Sequence, residues 1–226
     1  MEENNQPSLF DIIVRKGTLK QKIYQNTVEA FNLIKKVIYA KDKIYRENYT
    51  SGKQKIPFII TEAGEFELHV QFAGDILIFV MHTNVFEFSR SHEVMQTQYI
   101  REDKERSYCG MISIYNFLAD SFKYNRVNDI GYMIGRMFVN KDMCYFIEGK
   151  RELGMLYPNF GKEKVDLDST DKIVSSAILY TINFDLLVPP YESLVQVSVG
   201  EMKSIIDSYT LKTGKRLGFK FQADQE

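Results

Sequence analysis

Three residues in the second half of the chain have the types that metal-assisted phosphoryl chemistry requires. Asp129 and Glu148 carry carboxylates, whose oxygens are the ligands that Mg²⁺ prefers, and Lys150 follows Glu148 by two positions. A bound cation orients the attacking water, and a lysine beside the scissile phosphate stabilises the negative charge that develops there. One hypothesis is therefore a divalent-metal site made by Asp129, Glu148 and Lys150.

The same three positions resemble the motif of metal-dependent nucleases of the PD-(D/E)xK kind. The resemblance implies a Mg²⁺-dependent nuclease or phosphodiesterase, and it covers only these positions. The turn predicted at residues 140–142 decides whether they meet. A three-residue turn places Glu148 opposite Ile134 and points Asp129 to the other face, whereas a two-residue turn gives all three one face. Glu148 and Lys150 are equally well explained as solvent-exposed residues at the end of a strand. A catalytic metal site is therefore the alternative hypothesis.

A second concentration of polar residues runs from residue 116 to residue 129. Its side chains suit a pocket for a small polar or anionic ligand, or a contact surface for another protein. The candidate ligand-binding residues are Asn116, Tyr124, Asn125, Arg126 and Asn128. Since Asn and Asp also satisfy turn backbones locally, we favour a hydrogen-bonded turn over a binding site at these positions.

Other catalytic and cofactor signatures are absent from the sequence. It contains no phosphate-binding loop, dinucleotide fingerprint, Gly-x-Ser-x-Gly elbow, His-Glu-x-x-His or Cys-x-x-Cys. The histidines His69, His82 and His92 are well separated, and the predicted hairpin places the first two on opposite faces. We therefore predict no metal centre and no cofactor, apart from Mg²⁺ under the nuclease alternative.

Residues 65–72 give the clearest local structural signal, because polar and apolar residues alternate along them as in a half-buried strand. Phe66, Leu68 and Val70 form the predicted apolar side. A turn at residues 73–75 leads into a second apolar strand, so the two form a hairpin. A three-residue turn places His69 opposite Phe79, and leaves Glu67, His69 and Gln71 on the face of Leu77, Phe79 and Met81.

Helical patterns flank the predicted strands. A long amphipathic helix spans residues 18–45, after a short helix over residues 8–16 that ends at Gly17. The chain after residue 168 predicts a helix to Phe184, a strand over 194–199, a helix after a capping box of Ser198 and Glu201, and a last strand over 217–221.

The predicted class is α+β: a mainly antiparallel sheet over about residues 56–148, with the long N-terminal helix and the C-terminal helix-strand-helix-strand unit packed on it. We expect one compact domain over residues 1–226, and the alternative organisation has a sub-boundary near residues 150–168. Cytosolic sensory and adaptor domains of the GAF and PAS kind have a similar plan, at the level of fold analogy.

Composition limits the function classes further. Lys and Arg number 29 against 30 Asp and Glu, which argues against a duplex nucleic acid partner. The apolar runs are too short to span a membrane, and the two cysteines and the polar N-terminus favour a reduced, cytoplasmic protein. We therefore predict a non-catalytic ligand-sensing or protein-interaction module. Its partner is a small polar ligand, another protein, or a second copy bound through the aromatic-rich sheet or the N-terminal helix.

Overall fold

The computed structural model describes residues 8–49, 56–127, 129–149, 160–185 and 198–200. This part of the chain forms a long N-terminal helix, a six-stranded antiparallel sheet and a C-terminal helix, which confirms the α+β prediction. The helices are α1 (Leu9–Tyr49), α2 (Gln98–Glu102), α3 (Ala119–Lys123) and α4 (Leu167–Ile182). The strands are β1 (Phe58–Gly64), β2 (Glu67–Phe72), β3 (Asp75–Glu87), β4 (Tyr108–Leu118), β5 (Tyr132–Asn140) and β6 (Tyr145–Gly149).

The sheet is a meander in which every strand pairs antiparallel with the next, in the order β1 to β6. The connection between β3 and β4 is the longest inside the sheet. It contains α2 and the two short 3₁₀ helices Glu93–Gln96 and Lys104–Ser107. These short helices lie over one end of the sheet and provide the second layer on that side.

The register of the β2–β3 hairpin differs from the predicted one. Leu68 lies opposite Phe79 and His69 lies opposite Ile78, because the turn has two residues rather than three. Ala73 begins the turn with φ of 49°, in the left-handed region that tight hairpin turns require. The one-residue slip exchanges the faces of β3. His69 and His82 consequently share a face, and the prediction that they lie on opposite faces is wrong.

One face of the sheet is covered by α1 and α4, and we call it the helix-covered face. Both helices contact β3, and they also contact each other. Alternate residues of the strands enter the core here, and the two sides of the β2–β3 hairpin contribute Leu68, Val70, Phe72, Leu77, Phe79 and Met81. The opposite side, which includes His69, Ile78, Met111, Phe138 and Glu148, is called the open face.

Helix α1 approaches the sheet closely at Gly110 of β4. A Cβ atom added there would lie 2.0 Å from Oγ1 of Thr27, whose hydroxyl donates to the carbonyl of Ile23. The β-branched threonine has little rotamer freedom in a helix, so it cannot turn away. Glycine at this position therefore sets how closely α1 packs on β4.

Helix α1 runs without interruption through Gly17, so the predicted break between two helices is wrong. Glycine in a helix interior costs only about 1 kcal/mol relative to alanine, and the flanking turns are strong enough to continue. Ser8 and Asp11 form reciprocal hydrogen bonds that fix the start of the helix. Most residues of α1 before Ile23 are exposed.

The C-terminal unit is described only in part. Helix α4 confirms the predicted helix, and Asp166 is its N-cap. Residues 199 and 200 are helical, so the predicted strand does not include residue 199, while residues 194–197 lie outside the described part. The predicted helix after residue 200 and the strand over 217–221 also lie outside it.

Candidate functional site

The open face of β4, β5 and β6 is lined by residues that alternate with the buried core positions. Arg136 lies directly opposite Glu148, and Met111 lies opposite Phe138. The chain between β3 and β4 crosses this end of the sheet and buries a second, smaller cluster. Its fully buried members are Val94, Ile100, Cys109, Phe138, Cys144 and Phe160.

A cavity of about 300 Å³ lies where this segment leaves β3 and meets the sheet, and we call it the aromatic cavity. Its wall combines phenylalanine rings, sulfur-containing side chains and three linked charged or polar groups. The lining residues are Phe86, Glu87, Phe88, Ser89, His92, Cys109, Met111, Arg136, Phe138 and Glu148. Apolar walls with a few convergent polar groups are the usual composition of a small-molecule site.

Arg136, Glu148 and His92 form a connected polar group at the edge of this cavity. The Nε and Nη2 atoms of Arg136 lie 2.6 and 2.5 Å from Oε2 of Glu148, and Nε2 of His92 lies 2.8 Å from Oε1. Both carboxylate oxygens are therefore engaged. Within the described residues, Nη1 of Arg136 has no hydrogen-bond partner, and the side chain is 43% exposed.

The second ring nitrogen of His92 fixes its tautomer. Nδ1 accepts a hydrogen bond from the backbone N–H of Val94 at 3.2 Å, so His92 caps the 3₁₀ helix Glu93–Gln96. Nδ1 consequently carries no proton, and Nε2 donates to Glu148. Because both nitrogens are used, this imidazole is not arranged as a free general base.

A separate polar network attaches the segment that contains α2 to the β5–β6 turn. The buried side chain of Asn140 donates to the Tyr99 hydroxyl at 2.9 Å and accepts from the backbone N–H groups of Asp142 and Cys144. The Tyr99 hydroxyl donates to Asp142, whose carboxylate also accepts from Arg106. The network therefore fixes the β3–β4 connection to the β5–β6 turn.

Charged groups of the same segment pair with Lys141 in the β5–β6 turn. The Nζ atom of Lys141 lies 2.6 Å from Oδ2 of Asp103 and 3.0 Å from Oε2 of Glu105. The hydrogen bond from Lys141 holds the pKa of Asp103 below its ordinary value. Burial would lower the pKa of Lys141, but its two carboxylate partners outweigh burial and raise it. The mixed-charge run over residues 101–106 is therefore partly paired.

Both cysteines are free and buried. Burial raises the pKa of the Cys109 thiol far above its ordinary value, so this group stays protonated and poorly nucleophilic. Cys109 therefore lines the aromatic cavity as an apolar surface.

The residues predicted for metal-dependent catalysis have different surroundings. Glu148 lies at the aromatic cavity, bound by Arg136 and His92, whereas Asp129 accepts a 2.6 Å hydrogen bond from Ser121 beside α3. Lys150 lies outside the described residues. No group of three or more His, Cys, Asp or Glu in the described ranges is arranged to hold a metal ion.

The β5–β6 turn has three residues, as predicted, but it begins one position later. The loop comprises residues 141–143, and Met143 closes it with φ of 59°. Glu148 therefore faces Arg136 rather than the predicted Ile134. Ile134, the partner predicted for Glu148, enters the helix-covered core instead, at an irregularity in the β4–β5 register.

The predicted ligand-binding residues occupy two environments. Asn116 is fully buried beside Leu77 on the helix-covered face, and its side-chain amide has no hydrogen-bond partner in the described residues. Tyr124 and Asn125 are exposed in the turn after α3. Arg126 lies over the Tyr124 ring at 5.4 Å, and its Nη1 lies 4.0 Å from Asp129. Asn128 lies outside the described residues.

Sequence reasoning missed Arg136, His92 and Phe88 at the cavity. The signal for Arg136 was a cation inside the apolar strand 133–139, which requires a partner on the neighbouring strand. His92 lies in a polar stretch without periodicity, so no local pattern connects it to Glu148, 56 positions away.

Comparison of the chain with known protein families, curated proteins and solved structures finds no match. Within the described residues, no helix combines the length and the apolar character needed to cross a membrane. The fold and the aromatic cavity are therefore the basis for functional inference.

Proposed function

We propose that this protein is a non-catalytic binding module whose aromatic cavity holds a small, flat molecule carrying a hydrogen-bond acceptor or an anionic group. The observation that carries the proposal is the composition of one continuous wall. Phenylalanine side chains line it beside the Nη1 donors of Arg136, which Glu148 leaves unoccupied. An aromatic body and one acceptor on the ligand match these two features.

The polar groups at the cavity support binding rather than catalysis. Glu148 neutralises Arg136, and His92 uses both ring nitrogens. A general base needs an available lone pair within reach of the substrate proton, and His92 offers none without first breaking one of these bonds. The guanidinium is already held in place by Glu148, so less conformational entropy is lost when a ligand binds.

His92 also supports a sensing role. It connects Glu148 to the N-terminus of the 3₁₀ helix Glu93–Gln96 through one hydrogen bond on each side of its ring. A ligand that draws Arg136 away from Glu148 changes the position of that carboxylate. The change reaches the segment over the sheet because the imidazole is rigid.

Fluorescence titration with 8-anilinonaphthalene-1-sulfonate tests the proposal, because this probe combines aromatic rings with an anionic group. We expect saturable binding to the wild-type protein. Arg136→Gln and Phe88→Ala should each weaken binding about tenfold, which corresponds to about 1.4 kcal/mol. Phe122→Ala is the matched control: its ring is 47% exposed beside α3, outside the cavity lining, and its loss should leave binding unchanged.

Equal weakening by all three variants would show nonspecific probe binding and contradict the proposal. Near-ultraviolet circular dichroism of each variant establishes that the fold is retained. The nuclease alternative is tested separately by thermal unfolding with Mg²⁺ or Mn²⁺ at constant ionic strength. A metal-dependent rise in the midpoint that Glu148→Gln abolishes would favour that alternative.

A further inference from the structure

The first turns of α1 expose an unusual amount of apolar surface. The described helix begins at Leu9, but its first buried residue is Ile23. The fourteen residues from Leu9 to Lys22 extend about 21 Å along the helix axis. Five of the first six are large and apolar, with exposed fractions from 38% to 74%: Leu9, Phe10, Ile12, Ile13 and Val14. Exposed apolar patches of this kind mark interaction surfaces.

Four of the residues in this part of α1 share one face. Phe10, Ile13, Val14 and Gly17 are separated by three, four and seven positions, so they form one row along the helix. At about 100° per residue, the centre of this row lies about a third of a turn from the residues that enter the core. A partner can therefore contact the row without displacing the sheet.

Gly17 makes this row complementary to itself. An added Cβ at Gly17 would meet no atom within 4 Å, so the position is a gap in the helix surface. Two antiparallel copies can be aligned so that Phe10 of each lies over Gly17 of the other, while Ile13 meets Val14. A large side chain then fills the space above a small one on both sides of a two-fold axis.

The charges on this part of the helix fit the same alignment. At about 100° per residue, Asp11 and Arg15 lie more than 100° from the centre of the row, on the other side of the helix. A second copy can therefore cover the row without burying either charge. Antiparallel helices also oppose their macrodipoles favourably.

We infer that this row is a self-association surface, and that its occupant is the same row of a second copy of this chain. The inference is independent of the aromatic cavity. The row covers only the first turns of α1, so two copies of it bury less area than the roughly 1,200–2,000 Å² of a typical stable interface. We therefore expect a monomer–dimer equilibrium in the micromolar range.

Sedimentation equilibrium of the full chain measures this association directly. Phe10→Asp and Ile13→Asp should each weaken dimerisation by about tenfold or more, because each would bury a charge in the contact. Gly17→Leu should weaken it as well, because it fills the gap that receives Phe10. Ile44→Asp is the matched control, since Ile44 is also an exposed apolar residue of α1 but lies beyond this row.

Disulfide cross-linking identifies the face. The native cysteines are buried, so a thiol introduced on α1 is the accessible one. Val14→Cys should form a cross-linked dimer under mild oxidation, whereas Arg15→Cys, on the other side of the helix, should not. A monomer at every concentration from micromolar to millimolar overturns the inference. So does a dimer that Arg15→Cys cross-links and Val14→Cys does not.

Discussion

The two faces of the sheet are built on different physical principles. The helix-covered face is closed by α1 and α4, and its contacts are almost wholly apolar. The open face has rings and sulfur atoms beside Arg136, Glu148 and His92, and its cover is a chain of short helices held by polar bonds. Burial of apolar area stabilises the helix-covered face, and hydrogen bonds between side chains hold the cover of the open face in place.

Because of this difference, we assign stability mainly to the helix-covered face and the candidate function to the open face. A dense apolar layer tolerates little change in volume, so it provides a rigid platform. Short helices held by side-chain hydrogen bonds are displaced at lower free-energy cost, and segments that respond to ligands belong to such low-stability regions. The open face is therefore where we expect ligand binding to have an effect that the rest of the protein can detect.

The largest contrast is expected between two phenylalanines of β3. Phe79 is fully buried under the helices, and Phe79→Ala should cost about 3–5 kcal/mol of unfolding free energy through lost burial and a cavity. Phe86 is 38% exposed at the aromatic cavity, and Phe86→Ala should cost less than about 1.5 kcal/mol. Urea unfolding measures both. Equal losses would show that the two faces contribute equally to stability.

The next effect concerns the close contact between α1 and β4. Gly110→Ala should cost about 1–3 kcal/mol, because the added methyl group overlaps Thr27. Gly135→Ala is the matched control within the sheet, where the nearest atom to an added Cβ is 3.4 Å away. We expect a smaller loss there in thermal unfolding. A neutral Gly110→Ala would mean that α1 is free to move away from the sheet.

On the open face, Asn140→Ala should cost about 2 kcal/mol, because it leaves the buried N–H groups of Asp142 and Cys144 without their acceptor. Hydrogen exchange should be faster at Ile100 than at Leu68 of the helix-covered core. Asn26→Ala, which removes one bond to the Asn140 carbonyl, should have a smaller effect. Uniform loss of protection in both regions would contradict a separately held cover.

The smallest effect is electrostatic. The pKa values of Asp103 and Asp166 are lowered, by the Lys141 hydrogen bond and by the Ser169 N–H respectively. A lowered folded-state pKa adds stability above the unfolded value of about 3.9, and this stability is lost as the pH falls through the folded values.

Asp103→Asn should therefore lower stability at neutral pH by about 0.2–1 kcal/mol, as expected for a partly exposed pair. The acid limb, which is the fall in stability between neutral and acidic pH, should become less steep in this variant. Urea midpoints measured from neutral to acidic pH check this prediction. Asp168→Asn is a control near α4 that leaves the Lys141 pair intact. An acid limb that Asp103→Asn leaves unaltered would show that the pair contributes nothing to stability.

Local patterns in the sequence predicted much of the fold. Alternation over residues 65–72 correctly placed Leu68 and Val70 in the core, and apolar periodicity identified α1 and α4. The turn residues did not specify the register, because Ala73 takes a left-handed conformation that its type does not indicate. That single residue reversed the predicted faces of β3.

The candidate site was less predictable than the fold. Glu148 was selected for its carboxylate, but the partners expected for it were Asp129 and Lys150. The partners found for it within the described residues are Arg136, directly across the strand pair, and His92, which reaches it through space. Spacing along a chain cannot predict such a contact, because it depends on how the β3–β4 connection folds over the sheet.

The sequence by itself determined the α+β class of this protein: where most of the strands and the two long helices lie, and which side chains are apolar. Tertiary structure alone decided which strand faces pack together, that Gly110 receives Thr27, and that Arg136, Glu148 and His92 converge beside an aromatic cavity. The physical reason is the separation in sequence over which each kind of interaction acts. Periodicity and propensity act between neighbours in the chain, whereas register, close approach and convergence depend on contacts between residues far apart in sequence.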